Sequence, residues 1–564
     1  MPKFRYPLCV LTILSMSAEL ALAQTAPDAG SLLQQIEKGR APPVPKKSGT
    51  ALSPPPQPMK ELAGASVTVT AFHFAGNSLL SEAQLNAVVA GYLNRPLDFT
   101  ELQNAAVAVA DAYRKAGWIV RAYLPRQEIE HGVVTVQIVE AVFGQTRLEG
   151  NRPSRIAFER LLPIIETAQP KGALLNAGAL DRALLLLDDM PGVTAEGSLA
   201  PGQESNQTDL LLKLGDEPWA NGQVSLDNTG SRSTGSTRAS ADLYVNSPLH
   251  LGDQLVANLV HTEGSDYGRL AATLPLGSGG WRAGANASYL RYRLVSDDLA
   301  GLHAKGTSST AGLEASYPLI RARLKNLNLS FNYDDKHFDN QAAASTTTHY
   351  KIDAWTLGLN GNLLDKFGGG GSNAGSLALA SGKVDLDGSP NQAADALTTR
   401  AAGNFTKLRY SASRQQVITE AISVFGALSG QATGKNLDSG EKFYLGGAYG
   451  VRAYPSNEGG GSSGQMVNLE LRARLPQSLT LTGFYDWGHV HVNQDNDFAG
   501  APALNGYSLK GAGASLAWLA GFGLTLKATW ARRIGDNPNP TVTGRDQDGS
   551  LNKNRYWLQA SLPF

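Results

Sequence analysis

The chain has 564 residues, 49 basic and 49 acidic side chains, 61 glycines, 28 prolines and one cysteine. Balanced charge supplies no field for a polyanion, so no nucleic-acid partner is expected. Only 17% of residues are charged, below the roughly 25% usual in soluble domains, yet no mature segment offers the about 20 consecutive apolar residues of a membrane helix, which excludes a helical membrane bundle.

Residues 1–23 read as a signal peptide: Lys3 and Arg5, an apolar stretch from Leu8 to Met16, then Ala21-Leu22-Ala23, the small-x-small pattern of a cleavage site. The other reading, an N-terminal membrane anchor, requires a longer apolar core. The mature chain is expected to start at Gln24. Cys9 then leaves with the leader, and an exported chain without disulfides must be held by packing or by closed hydrogen-bond ladders. Within 24–40, Asp28 to Lys38 predicts one short helix, Asp28 capping it and Leu32, Leu33 and Ile36 sharing a face. A helix this short needs a docking site. The segment 41–64 is a linker, its first part, 41–58, dense in proline and without periodicity.

From 65 to 142 the pattern is a strand from Val67 to Phe74, helices at Ser81–Tyr92 and Thr100–Ala116, then two strands, with Gly117 closing the second helix and His131-Gly132 as a hairpin turn. From 143 to 216 the same order recurs: a strand near Gln145–Leu148, helices around Ile156–Ile165 and Ala177–Met190, and strands Val193–Leu199 and Thr208–Leu214. These are tandem βααββ modules, whose exposed sheet edges suit an extended segment.

Beyond 217 the helical period is expected to vanish and a two-residue alternation to replace it. Val467, Leu469, Leu471, Ala473 and Leu475 alternate with polar or charged residues; Trp281 to Tyr289 and Phe522 to Trp530 do the same. A soluble sandwich shows such alternation too. Strands of about 9–11 residues following an export leader favour a transmembrane barrel, in which no backbone edge is left unpaired in hydrocarbon; at about 22 residues per strand and connection the region holds roughly 16 strands. The last strand carries Tyr556, Leu558, Ala560, Leu562 and Phe564 on one face and stops there, which resembles the terminal signal read by the outer-membrane barrel-assembly machinery.

Two segments stand out for function. Leu445 to Pro455 is a glycine-rich loop holding Arg452, and Phe484 to Gly488 lies on a strand whose apolar face, Leu479, Leu481, Tyr485 and Trp487, turns Phe484 and Asp486 the other way. Should that loop fold inward, Arg452 can meet Asp486 inside the barrel. Val451-Arg452-Ala453-Tyr454 is similar to the VRGY/F tetrad, and Phe484-Tyr485-Asp486-Trp487-Gly488 to the FxDxG strand motif, of the TpsB family, the outer-membrane transporters of two-partner (type V) secretion, of the haemolysin, haemagglutinin and haem-haemopexin type. Ala453 departs from the usual Gly. Tyr113, Gly117, Trp118 and Pro125 resemble the end of a first POTRA domain, Pro191 and Gly192 a second, and Asp227 to Arg232 the first barrel strand.

The resemblance implies a mainly β protein: a sixteen-stranded barrel plugged by the N-terminal helix and the inward loop, preceded by two periplasmic POTRA domains. It implies a partner, a large β-helical exoprotein that docks on the POTRA domains and leaves unfolded, with lipid around the barrel and the assembly machinery acting in biogenesis. No nucleotide motif is found, since Gly368–Gly371 is followed by Ser372-Asn373 rather than Lys-Ser/Thr. No cofactor or enzymatic activity is expected. A barrel-assembly insertase and a passive porin are the alternative functions. His489, His491, Asp495 and Asp497 lack metal-ligand spacing, and Asp385 to Gly388 and Asp546 to Gly549 imitate calcium loops without the later Glu, so they read as turns.

Overall fold

The computed structural model describes residues 26–39, 66–204 and 206–564; the expected leader at 1–23 and the linker at 41–64 lie outside them. Helix α1 (Ala29–Lys38) begins in a capping box, in which the Asp28 carboxylate accepts from the Ser31 N–H and the Ser31 hydroxyl from the Asp28 N–H. Leu32, Leu33 and Ile36 are buried among Leu290, Tyr292 and Phe338 of the barrel wall. The short helix therefore finds inside the barrel the docking surface its length requires.

The first module comprises β1 (Val67–Thr68), β2 (Ala71–Ala75), α2 (Glu82–Val89), β3 (Pro96–Leu97), α3 (Phe99–Lys115), β4 (Val120–Tyr123) and β5 (Val133–Glu140). The expected strand Val67–Phe74 is in fact two. β1 pairs with β3, while β2 joins a sheet of order β2-β5-β4, because the Val69 carbonyl is taken by Asn94 and the Thr70 N–H by Gly132. His131 and Gly132 do form a left-handed turn (φ 55° and 75°), but it leads into β5 at the end of a longer connection from Tyr123 rather than making a tight hairpin. Gly117, at φ 90°, ends α3: its N–H donates to Arg114 and that of Trp118 to Tyr113 (3.0 and 2.9 Å).

Tyr113 is fully buried in this module, and its hydroxyl donates to Glu140 at 3.2 Å. Burial, then the Glu140 charge, pushes the phenol up to about 12. Glu140 also accepts the N–H groups of Ser78 and Leu79 (2.7 and 2.9 Å). Its partial burial opposes ionisation, but these donors and the Ser78 hydroxyl outweigh it and hold the carboxyl below its ordinary value. A depressed folded-state pKa stabilises above the unfolded value, about 4.3, and that contribution disappears as pH falls through the folded one. Hydrogen-exchange protection of α3 amides, corrected for intrinsic rate, is expected to decline below that pH, and Glu140→Gln to lower protection at neutral pH and flatten the decline. An unchanged acid profile in the variant would refute the assignment.

The second module comprises β6 (Val142–Glu149), α4 (Phe158–Ala168), α5 (Ala177–Asp188), β7 (Val193–Pro201) and β8 (Gln207–Asp216), with sheet order β6-β8-β7. Its core holds Leu161, Ile165, Leu180, Leu184, Leu210 and Leu212. Trp118 and Ile119 bridge to Leu175 and Asn176 and join the modules. On its other side the second module meets the barrel's near rim, where Arg321 grips Asp189 with two bonds of 2.7 Å and Arg323 pairs with Asp181 at 2.7 Å.

Sixteen antiparallel strands, from Ala220–Asp227 to Asn554–Pro563, close into a barrel, the last pairing with the first. Leu270, Leu313, Leu357 and Leu471 alternate outward, exposed, while Asn258, Thr310, Asp486 and Thr529 face in, buried. Among the described residues no helix is long and apolar enough to cross a membrane; the crossing is made by strands. Four expectations need correction. Strand lengths run from 8 residues (Ala220–Asp227) to 21 (Ser345–Asp365), because the longest continue past the apolar band. Short helices, Asp297–Ala300 and Gln392–Leu397, interrupt far-end connections. Asp227 ends the first strand, so Asn228 to Arg232 are loop, and Phe522 and Leu524 belong to the turn before Thr525–Arg533.

Candidate functional site

Between the strands Ile422–Thr433 and Ser463–Leu475 the chain does not return directly. It folds into the lumen and bonds to itself: the N–H groups of Gly446, Gly447 and Val451 donate to the carbonyls of Glu458, Tyr454 and Leu445 at 2.9, 3.1 and 2.8 Å. A turn closed by Tyr454 N–H to Val451 C=O (3.1 Å) presents Arg452 at the tip. Glycine is required where this loop nears the wall and where it folds on itself: a Cβ on the wall residue Gly488 would sit 2.6 Å from Leu445 Cδ2, and one on Gly450, within the loop, only 1.9 Å from the Leu445 carbonyl.

Arg452 meets Asp486 three times: its backbone N–H and Nε donate to Oδ2 (3.0 and 2.9 Å) and Nη2 donates to Oδ1 (2.7 Å). Asn468 adds a fourth donor to Asp486 at 2.8 Å, and the Asp486 side chain is 0% exposed. The remaining arm, Nη1, reaches Glu470 Oε1 at 2.8 Å, and Arg472 takes the other Glu470 oxygen at 2.7 Å. The guanidinium lies 3.5 Å above the Phe484 ring centroid, a favourable cation–π arrangement. The planar fork of arginine suits this site; a lysine point charge would not reproduce it. The Arg452 carbonyl accepts the Trp557 indole N–H at 2.9 Å.

Val451, Ala453 and Tyr454 are buried around Arg452. Ala453 is absent from the left-handed positions and its methyl faces Gly511, where an added Cβ would approach to 2.5 Å; the alanine fits because the strand Gly506–Leu519 yields the space. Tyr454 stacks under Arg533, 4.5 Å from centroid to guanidinium carbon. Arg533 and Arg555 both pair with the buried Asp546, and Glu458 accepts Asn537 and the Gln547 N–H at 2.9 and 2.8 Å. This second network ties connection 534–553 onto the loop. Sequence reasoning missed Glu470, Trp557, Arg533, Arg555 and Glu458. Asp546 does initiate a turn, its carbonyl accepting from Gly549, but its carboxylate serves the arginines.

The loop also seats the helix: Ser439 Oγ donates to Asp28 Oδ2 at 2.6 Å, Lys38 Nζ to the Tyr444 carbonyl at 3.0 Å, and Gln34 to the Gly440 carbonyl. Gly30 abuts Gly440, whose N would lie 2.7 Å from an added Cβ. The other sequence-selected residues lie elsewhere. Tyr113, Gly117, Trp118 and Pro125 are in the first module. Pro191 and Gly192 sit at the joint with the barrel, where a Cβ on Gly192 would come 2.9 Å from Ser247 Cβ. Tyr556, Leu558 and Phe564 are exposed on the outer face, with Leu562 partly so, and Phe564 exchanges two 3.0 Å backbone bonds with Gly222 at the closing seam. His489 and His491 bond Ser508 and Asn505 (3.0 and 3.2 Å), and Asp495 pairs with Arg400 at 3.2 Å.

A closed sixteen-stranded barrel, sealed by a helix and an inserted loop and carrying βααββ modules at its near end, defines an outer-membrane transporter of the TpsB class. Residues 206–516 match the family described as haemolysin secretion/activation protein ShlB/FhaC/HecB, and residues 67–141 match the ShlB-type POTRA domain. The chain belongs to the ShlB/FhaC/HecB family of outer-membrane secretion transporters. It is similar to the heme/hemopexin transporter protein HuxB of Haemophilus influenzae, 25% identical over 98% of this chain and 97% of the relative. It is also similar to the outer membrane transporter CdiB of Dickeya dadantii, 25% identical over 79% and 80%. Solved CdiB from Escherichia coli shares the fold, with TM-score 0.67 and 21% identity over 94% of this chain and 95% of that one. BamA from Haemophilus ducreyi lacking POTRA domains 1–3 also shares it, at TM-score 0.52 and 16% identity over 89% and 100%. The protein is a secretion pore of the outer membrane, its POTRA modules on the periplasmic side.

Proposed function

We propose that this transporter exports one cognate protein, a large β-helical exoprotein, which docks as an added strand on the POTRA modules and crosses the barrel unfolded without nucleotide hydrolysis. The domain division that serves this is a leader at 1–23, plug at 24–40, linker at 41–64, POTRA domains at 65–142 and 143–216, and barrel at 217–564. Arg452 and Asp486 lock the loop, Val451, Ala453 and Tyr454 shape its tip, Phe484 and Gly488 receive it, and the outward face from Tyr556 to Phe564 is read by the assembly machinery. The chain does no chemistry of its own on the cargo and holds no cofactor.

The observation that carries this reading is the doubly sealed lumen, with α1 and the loop bonded to each other and the loop bonded to the wall. A passive porin has no use for such a seal. In planar bilayers the intact chain is expected to give small, intermittent conductance, and co-expression with its cognate exported protein to release that protein into the medium. A large steady conductance from the intact chain would favour the porin; barrel-assembly rescue in an insertase-depleted strain would favour the insertase.

A further inference from the structure

Below the plug, five neighbouring strands place Asn328, Asn360, Ser376, Ser411 and Ser429 in one cross-strand row on the lumen face. The row nearer the periplasm, from Asn326 to Ala427, is likewise short and uncharged. Apart from Asn326, these residues line a concavity of about 530 Å³ together with Phe425 and Leu428. A second cavity, of about 560 Å³, joins Asn328 and Asn360 to Leu186 and Met190 of the second POTRA module. The wall is therefore continuous with the module that stands at the entrance. The wall beyond Ile422–Thr433 differs: Glu470 and Arg472 on the adjoining strand Ser463–Leu475, and Lys527 on Thr525–Arg533, are charged.

Within the first row Asn328 bonds Asn360 weakly at 3.4 Å and Ser376 bonds Ser411 at 2.6 Å; in the row below it Asn326 bonds Asn362 at 3.0 Å. An amide has two donors and an acceptor and a hydroxyl can play either part, so in the row from Asn328 to Ser429 a single bond each for Asn328, Asn360, Ser376 and Ser411 leaves the rest of that capacity for the lumen, whereas the Asn326 oxygen is already taken by Arg321 and the Ala322 N–H. An extended polypeptide presents N–H and C=O groups about every 3.3 Å, and losing water at them is costly unless other groups bond them. Neutral amides and hydroxyls supply both roles, whereas fixed charges would hold oppositely charged cargo in place.

We infer that this neutral row is the receiving wall for the exported chain: an extended polypeptide segment of low charge slides along it from the POTRA module before the plug is displaced. The inference rests on the secretion-pore reading and adds the route and the chemistry of the leading segment. The test uses the full chain in proteoliposomes, in a Cys9→Ser background, with a benzophenone-maleimide on Ser376→Cys or on Ser225→Cys, the latter on the first barrel strand, half a barrel away. The probe is a biotinylated Gly/Asn/Ser/Thr peptide of about thirty residues, longer when extended than the barrel is tall.

Photocross-linking at position 376 is expected to exceed that at 225 by about fivefold, the ratio given by a difference near 1 kcal/mol. Adding Asn360→Asp and Ser411→Asp is expected to reduce capture of the neutral peptide at 376 and to raise that of a lysine-containing version by a similar factor at low salt, with the heat-modifiable mobility of the folded barrel unchanged. Equal or greater cross-linking at 225, or indifference to the added carboxylates, overturns the receiving wall and leaves the pore standing. Cross-linking at neither position, with the barrel folded, overturns both.

Discussion

Arg452→Ala and Asp486→Ala should each lower export at least tenfold while the barrel still inserts. The Asp486 carboxylate is sealed from solvent and receives three of its four donors from Arg452. Cutting the arginine back removes two of those and the second Glu470 cation, leaving buried charge uncompensated at about 3–5 kcal/mol; the lost cation–π contact adds roughly 1 kcal/mol. At 1.4 kcal/mol per tenfold, that shifts the inserted-to-released ratio of the loop by about three to four decades. The closed strand ladder does not pass through Arg452, so heat-modifiable migration and surface protease resistance of the barrel are expected to persist. Arg452→Lys keeps the charge but loses the fork, and should export at a level nearer to alanine than to wild type. Wild-type export from both alanine variants would remove the lock from the mechanism.

The lock was legible because its two halves sit on elements that periodicity resolves. The alternation around Tyr485 fixes which way Asp486 points, and the glycines from Gly446 to Gly450 mark a loop that can approach a wall. Its supports were not. Trp557 lies 105 positions from the carbonyl it bonds, and its indole shares an inward face with residues that show no motif. Asp546 was hidden by its own turn: an Asp-x-Asp-Gly stretch has a local explanation that exhausts the sequence signal, while Arg533 and Arg555 reach it only when the strands close. The split of the first POTRA strand has a similar origin, since the Val69 carbonyl is claimed by Asn94 across the module. Strand lengths were underestimated because alternation reports the apolar band alone. Above it Asp335 pairs with His337, and Lys351 with Asp353, and polar residues continue the ladder without an apolar face to reveal it.

Replacing the apolar face of α1, as Leu32→Asp, Leu33→Asp and Ile36→Asp together, is expected to raise single-channel conductance severalfold and make it steady. These three side chains are at most 8% exposed, packed against wall residues such as Leu290 and Phe338. Full burial of each is worth about 1.5–3 kcal/mol, so roughly 5 kcal/mol or more favours the docked helix, and carboxylates on that face turn the preference negative. A shift of about 5.5 kcal/mol suffices to take a two-state equilibrium from 99:1 to 1:99. A single polar contact does not hold the helix to the same degree: the Ala29 N–H bond to Asn340 at 2.9 Å contributes about 1 kcal/mol, so Asn340→Ala should leave the pore mostly shut. The contrast between the two variants isolates the cause. If the triple variant conducts like wild type, the loop closes the pore without the helix; if Asn340→Ala opens it fully, the cap at the start of α1 rather than its apolar face is what keeps the helix in place.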